Sequence, residues 1–226
     1  MHSRPDSRVD DTAVPSRRAA GSMRGRVLSI AAISALAGAY LLGAIPFGLF
    51  FSKLLAKRDP REFGSGNIGA TNAMRTGGKL VGALTLLADI CKGALAVGLA
   101  VFLDAPEWLV AGVALAAFLG HIYPIYLGFR GGKGVATMFG VVLPWQPWLA
   151  VLAFAVWIVA LKAGRYVSLA SILAGWALPV GAWALQASHE CLIASLLFAL
   201  LMTWRHESNI RRLLAGEEPR VGVKST

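Results

Sequence analysis

The sequence predicts an all-α integral membrane protein of seven transmembrane helices, two of them short, with the N-terminus outside and the C-terminus in the cytoplasm. Three observations carry this. Hydrophobic residues make up 56% of the 226-residue chain and charged residues only 15%, against about 25% charged in soluble domains. The apolar residues fall in runs of membrane-crossing length. The connections between runs alternate between basic and base-free. Lipid hides the apolar surface, so no interior is needed for it.

The elements follow in order. Residues 1–26 are polar and rich in Arg, Asp, Ser and Pro, the composition of a disordered tail. Met23 offers an alternative start. The run 27–51 is long enough to span, and no cleavage site ends it, so it reads as a helix rather than a signal peptide. Runs 27–51 and 80–103 each hold about 20 residues or more, enough for about 30 Å of hydrocarbon. Run 108–129 is the third, with Trp108, Tyr123 and Tyr126 as interfacial anchors. Run 135–143 is short, and Pro144-Trp145-Gln146-Pro147-Trp148 then forces a turn. Run 150–161 is the second short one; 169–185 and 191–204 complete the seven. A count of five, with the pair around Pro144 re-entrant, is the alternative. One domain, 27–212, is expected, followed by a flexible cytoplasmic tail, 213–226.

Charge placement sets the orientation. Lys53, Lys57, Arg58, Arg61 and Arg75 follow the first run; Asp104-Ala105-Pro106-Glu107 has no base. Arg130 and Lys133 come next, then the base-free turn at Pro144, then Lys162 and Arg165. Residues 186–190 carry no Lys or Arg, and Arg205, Arg211 and Arg212 follow. Basic connections stay cytoplasmic. Arg17, Arg18, Arg24 and Arg26 run against this, but six downstream connections outweigh one tail. The net charge of +10 is therefore a topology signal, and no nucleic-acid partner is expected. Cys91 and Cys191 lie in apolar runs without metal or disulfide spacing.

Every polar motif falls on the cytoplasmic side. The first is Gly64-Ser65-Gly66-Asn67-Ile68-Gly69-Ala70-Thr71-Asn72, closed by Arg75. It offers backbone donors, the Ser65 and Thr71 hydroxyls, the Asn72 amide and a guanidinium suited to phosphate. A turn with Thr71 or Asn72 as helix cap is the plain alternative. The second is His121-Ile122-Tyr123-Pro124 followed by Gly131-Gly132-Lys133-Gly134-Val135-Ala136-Thr137. Glycine amides, a lysine and a helix start at Val135 form an anion site. Walker spacing is missing, and no Ser or Thr follows Lys133, so nucleotide hydrolysis is not indicated. His121 reads as structural. In the third motif Ser168 reads as a helix cap, with Ser171 one turn later on the same face. In the fourth, Arg205-His206-Glu207-Ser208-Asn209-Ile210-Arg211-Arg212, His206 and Asn209 share a face; a basic helix on the lipid surface is the alternative. Asp89 and Lys92 lie one turn apart inside an apolar run. Each costs about 2.5–3.5 kcal/mol there unless paired, so they read either as a self-neutralising pair or as a substrate-side group.

Taken together, these four motifs resemble the bacterial membrane acyl-phosphate:glycerol-3-phosphate acyltransferases, the PlsY type, from the first helix to Arg212. The resemblance implies transfer of a fatty acyl group from acyl phosphate to the 1-hydroxyl of glycerol 3-phosphate, giving lysophosphatidic acid and inorganic phosphate. This is the first acylation of phospholipid synthesis, at the inner membrane. It implies Ser65, Arg75, Lys133, Ser171, His206 and Asn209 as the catalytic, phosphate-site residues. Gly66, Asn67, Thr71, Asn72, Gly131, Gly132 and Gly134 are then the substrate-binding ones. It implies no cofactor and no metal, and the enzyme that makes acyl phosphate as a partner. The His-x-x-x-x-Asp of other glycerol-3-phosphate acyltransferases is absent: none of the four histidines has Asp five positions on. A substrate phosphate is then expected to take the proton. A transporter for a phosphorylated solute is the competing class, though no internal repeat is apparent.

Overall fold

The computed structural model describes residues 17–222, with side chains from Ser29 onward, in two units, Met1–Ser34 and Ala35–Thr226. Residues 1–16 of the expected tail lie outside the described residues; 17–26 are helical. The described elements are α1 (Arg17–Ala44), α2 (Phe47–Ala56), α3 (Ala70–Phe102), α4 (Glu107–Ile122), α5 (Val135–Trp145), α6 (Pro147–Gly164), α7 (Val167–Ala184), α8 (His189–Arg205) and α9 (Glu207–Leu214), with a 3₁₀ turn at Ile125–Leu127. Among the described residues, five segments are long and apolar enough to cross a membrane: Ser29–Ala56, Ala70–Phe102, Glu107–Leu127, Pro147–Gly164 and Val167–Ala184. At 11 and 17 residues, α5 and α8 are shorter.

Proline and glycine explain where elements depart from the expected runs. Pro46 supplies no N–H, and the first run breaks there into α1 and α2. Helical structure begins at Ala70, ten residues before 80, because Gly78 at φ 88° joins a short helix to the long one. The sixth helix is not short. Pro147 sits in its first turn, where a missing N–H costs nothing, and 18 residues follow to Gly164.

Small residues let the helices close on one another. A Cβ at Gly140 of α5 would lie 2.1 Å from the Ile90 carbonyl oxygen of α3, so only glycine permits this crossing. Between the helices Phe118 and Phe198 pack with ring centroids 5.0 Å apart, alongside the buried Ile122, Met138, Leu178 and Met202. On α3, Leu87, Leu95 and Leu99 face outward while Thr85, Asp89 and Lys92 are buried. The charge pair is thus internal. Lys92 Nζ is 2.8 Å from Asp89 and donates to the Ile45 carbonyl at the α1–α2 break at 3.0 Å. His121 Nδ1 lies 3.6 Å from Asp89.

Three base-free turns meet at one end of the bundle. Glu107 accepts the Trp145 indole N–H at 3.0 Å and the Ser188 hydroxyl at 3.2 Å. The C-terminal segment, expected to be flexible, is held as far as it is described. The Val221 N–H donates to the Arg165 carbonyl at 2.8 Å, the Arg165 guanidinium returns two bonds to the Val221 carbonyl, and Arg220 donates to the Tyr166 hydroxyl.

Candidate active site

The first motif folds around one side chain. Asn72, 2% exposed, donates from Nδ2 to the carbonyls of Pro60, Phe63 and Asn67 at 2.7, 3.0 and 2.8 Å. Its Oδ1 accepts the Ser65 N–H at 2.9 Å. Asn67 accepts the Gly69 N–H at 2.8 Å. The amide of Asn72 is therefore spent inside the loop it organises, and neither Thr71 nor Asn72 caps α3, whose N-cap is Gly69. Nearby, hydrogen bonds from Arg61, with Lys53 beside it, hold the Asp59 carboxyl well below the usual carboxylate range.

The second motif is fixed on both edges. The N–H groups of Gly131 and Gly132 donate to the Ile122 and His121 carbonyls at 3.2 and 3.1 Å. Their own carbonyls accept from Arg205, at 2.8 Å for Gly131 and 3.2 Å for Gly132. The expected nest of glycine amides therefore narrows to the N–H groups at the start of α5, which have no intrahelical partner. Gly134, at φ 87°, forms the N-cap of α5, and a Cβ there would meet Phe118 at 2.2 Å.

Lys133 follows these glycines and donates to Asn209 Oδ1. Burial lowers its ammonium to about 8; Glu218 works against this, and Arg212, Arg205 and Arg75 add to it. The Asn209 amide donates in turn to Glu218 at 2.6 Å. Glu218 also accepts from the Ser168 hydroxyl at 2.6 Å and from Arg212 at 2.8 Å. Burial pushes the Glu218 carboxyl up, but these bonds outweigh it and hold it below the usual glutamate value. His206 is buried at the α8–α9 junction with Nδ1 2.7 Å from the Met202 carbonyl. That contact assigns the proton to Nδ1 and leaves Nε2 as an acceptor. Burial takes the imidazole down to about 4, so it is neutral at pH 7.

A cavity of about 590 Å³ opens between three motifs. Ser65, Gly66 and Asn67 line it from the first loop, Arg130, Gly131 and Lys133 from the second, and Trp204, Arg205, Glu207 and Ser208 from the C-terminal side. Asn209 joins the cavity through Lys133, whereas Gly132, Gly134 and His206 are buried and do not line it. Thr71 and Arg75 are exposed beside the first loop. Ser171 stands apart: its hydroxyl donates to the Val167 carbonyl at 2.7 Å and accepts from the Trp157 indole at 3.3 Å. Sequence reasoning missed Glu218. It took Ser168 for a cap, but Ser168 lies one residue inside α7 and bonds Glu218 instead. An acidic pair, Glu217-Glu218, directly after a basic helix was the available signal. Among the described residues no group of three or more His, Cys, Asp and Glu side chains gathers to hold a metal.

A multi-pass helical membrane protein whose basic loops gather around a cationic cavity belongs among enzymes or carriers of anionic substrates. The comparisons decide which. The glycerol-3-phosphate acyltransferase family profile matches residues 33–216. The glycerol-3-phosphate acyltransferase of Methylobacillus flagellatus is 49% identical over 187 residues, 83% of this chain and 95% of the relative. That of Bordetella pertussis is 48% identical over 208 residues, covering 88% and 94%. The crystal structure of PlsY (YgiH), an integral membrane glycerol 3-phosphate acyltransferase in its glycerol 3-phosphate form, superposes with a TM-score of 0.82 at 40% identity, covering 85% of this chain and 96% of that one. Its lysophosphatidic acid form gives 0.79. The chain belongs to the glycerol-3-phosphate acyltransferase family, and acts in phospholipid biosynthesis.

Proposed function

We propose that this protein transfers a fatty acyl group from acyl phosphate to the sn-1 hydroxyl of glycerol 3-phosphate, on the cytoplasmic face of the inner membrane. The products are lysophosphatidic acid and inorganic phosphate. The observation that carries the reading is the convergence of Ser65, Arg130 and Lys133 on one cavity, with Asn209 bonded to Lys133. Two phosphate-bearing substrates repel one another, and fixed cations with helix-start amides offset that repulsion.

The hydroxyl oxygen attacks the acyl carbonyl carbon. The carbonyl carbon–oxygen bond to phosphate breaks, and its electron pair leaves with the phosphate oxygen. The hydroxyl proton goes to a substrate phosphate. An imidazole at about 4 is a weaker base than a phosphate monoester, with its second pKa of about 6. His206 is therefore better suited to accept a hydrogen bond through Nε2 than to remove a proton. Arg75 belongs to the same site in this reading, and Ser171 joins it by giving up its bonds to the Val167 carbonyl and the Trp157 indole when substrate binds. The acyl chain lies between helices and opens to lipid.

Seven spans, N-terminus outside, fit this placement. Trp145 and Ser188 both reach Glu107, so α4, α5, α7 and α8 share a base-free end, opposite the basic loops. The test is a change of donor. Purified protein should make lysophosphatidic acid from glycerol 3-phosphate with palmitoyl phosphate, and none with palmitoyl-CoA. Product from the thioester alone overturns the donor.

A further inference from the structure

We propose that Arg205 is a positioning residue for the phosphate loop, holding Gly131 and Gly132 so that Lys133 and the start of α5 meet the substrate phosphate; this rests on the acyl-transfer reading above. The sequence treats Arg205 as one more cytoplasmic cation at a helix end. Such a residue ordinarily points to water or to its own helix C-terminus. Here Nε and Nη2 reach two consecutive carbonyls across the fold, at 3.2 Å on Gly132 and 2.8 Å on Gly131. Lysine has no such fork.

The other edge of the same two residues is bonded to α4 through their N–H groups. Arg205 therefore closes the strip and prevents the loop from peeling away from α4. Its guanidinium is itself braced, 5.8 Å from the Tyr123 ring, which packs 6.2 Å from the Trp204 ring. Arg205 also lines the cavity with Lys133. Two carbonyl oxygens beside an anion site would repel the anion, and a cation seated on both removes that repulsion. Arg205 directly precedes His206, so the same contact ties the segment bearing His206 and Asn209 to the loop bearing Lys133.

Two substitutions separate the fork from the charge. Arg205→Lys keeps a cation but loses one of two charge-assisted bonds, so KM for glycerol 3-phosphate should rise about ten-fold while kcat stays within about three-fold. Its high-pH limb in kcat/KM should not move. Arg205→Gln also removes a positive neighbour that depresses Lys133, so KM should rise further and the limb should move to higher pH. Both are measured on detergent-purified protein with palmitoyl phosphate as donor, with monodispersity checked by size exclusion. Wild-type KM and an unmoved limb in both variants overturn the role, since a residue that only sets topology is served equally well by lysine. Loss of folded protein in both variants also overturns it, making Arg205 a fold determinant. A wild-type protein without turnover sinks the acyl-transfer reading and this inference together; turnover in the wild type that Arg205→Lys matches sinks only the inference.

Discussion

Substituting Gly132 by alanine tests how the phosphate loop is seated. The new Cβ would lie 2.2 Å from His121 Nε2 and 2.9 Å from Cε1. Ordinary nonbonded contact is about 3.5–4.0 Å, so the overlap exceeds about 1 Å. His121 cannot swing clear. It is 5% exposed, lies 3.6 Å from Asp89, and Asp89 is held by Lys92 at 2.8 Å. The loop must move instead, straining the bond from the Gly132 N–H to His121 and the bond from Arg205. Overpacking of this kind costs about 1–3 kcal/mol. A displacement of about 1 Å in a positioning group costs about 10²-fold in rate, or roughly 2.7 kcal/mol of barrier. Phosphate release with palmitoyl phosphate and varied glycerol 3-phosphate should show kcat/KM down by about that factor, with the melting temperature in detergent lower by a few degrees. A variant within about three-fold of wild type would refute the seating of the loop against His121.

Three further outcomes are expected. Lys133 is held at about 8 and binds anions as the cation, so kcat/KM for glycerol 3-phosphate should fall as pH rises through that value; a profile flat from pH 7 to pH 10 contradicts this. Asp89→Asn leaves Lys92 buried without its counter-charge, a loss of about 3–5 kcal/mol, and purified yield and thermal midpoint should both drop; an unchanged midpoint contradicts the pairing. Glu218→Gln weakens the acceptor of Ser168, Asn209 and Arg212 and should cost about 1–3 kcal/mol. Because the folded Glu218 pKa is depressed, its contribution is present above the unfolded value of about 4.3 and is lost as pH falls through the folded one. Wild type and variant should therefore converge in acid, and a constant gap down to pH 3 contradicts the assignment.

Much of the fold was legible because lipid imposes long apolar runs and segregates charge. What was misread lies where a single residue overrides the run. Pro46 divides the first run, Gly78 joins a short helix to a long one, and Pro147 starts α6 early because proline suits a first turn. The motif loops were legible as glycine, amide and cation. Their internal wiring was not, because Asn72 and the Gly131 and Gly132 amides look like ligand donors until their fold partners are seen. Glu218 and Arg205 escaped for a related reason. Each acts through a partner at least nine residues away along the chain, and no local spacing announces such contacts.

Lys133→Ala, compared with wild type in the same palmitoyl phosphate and glycerol 3-phosphate assay, tests the central claim most directly. The lysine is the cation that links the loop to Asn209, and it lines the cavity, so removing it takes away the cation seated between the loop and Asn209. The account predicts that lysophosphatidic acid and inorganic phosphate appear one for one in the wild type and cease in the variant, which still inserts and purifies intact. Near-normal release by the variant would contradict it.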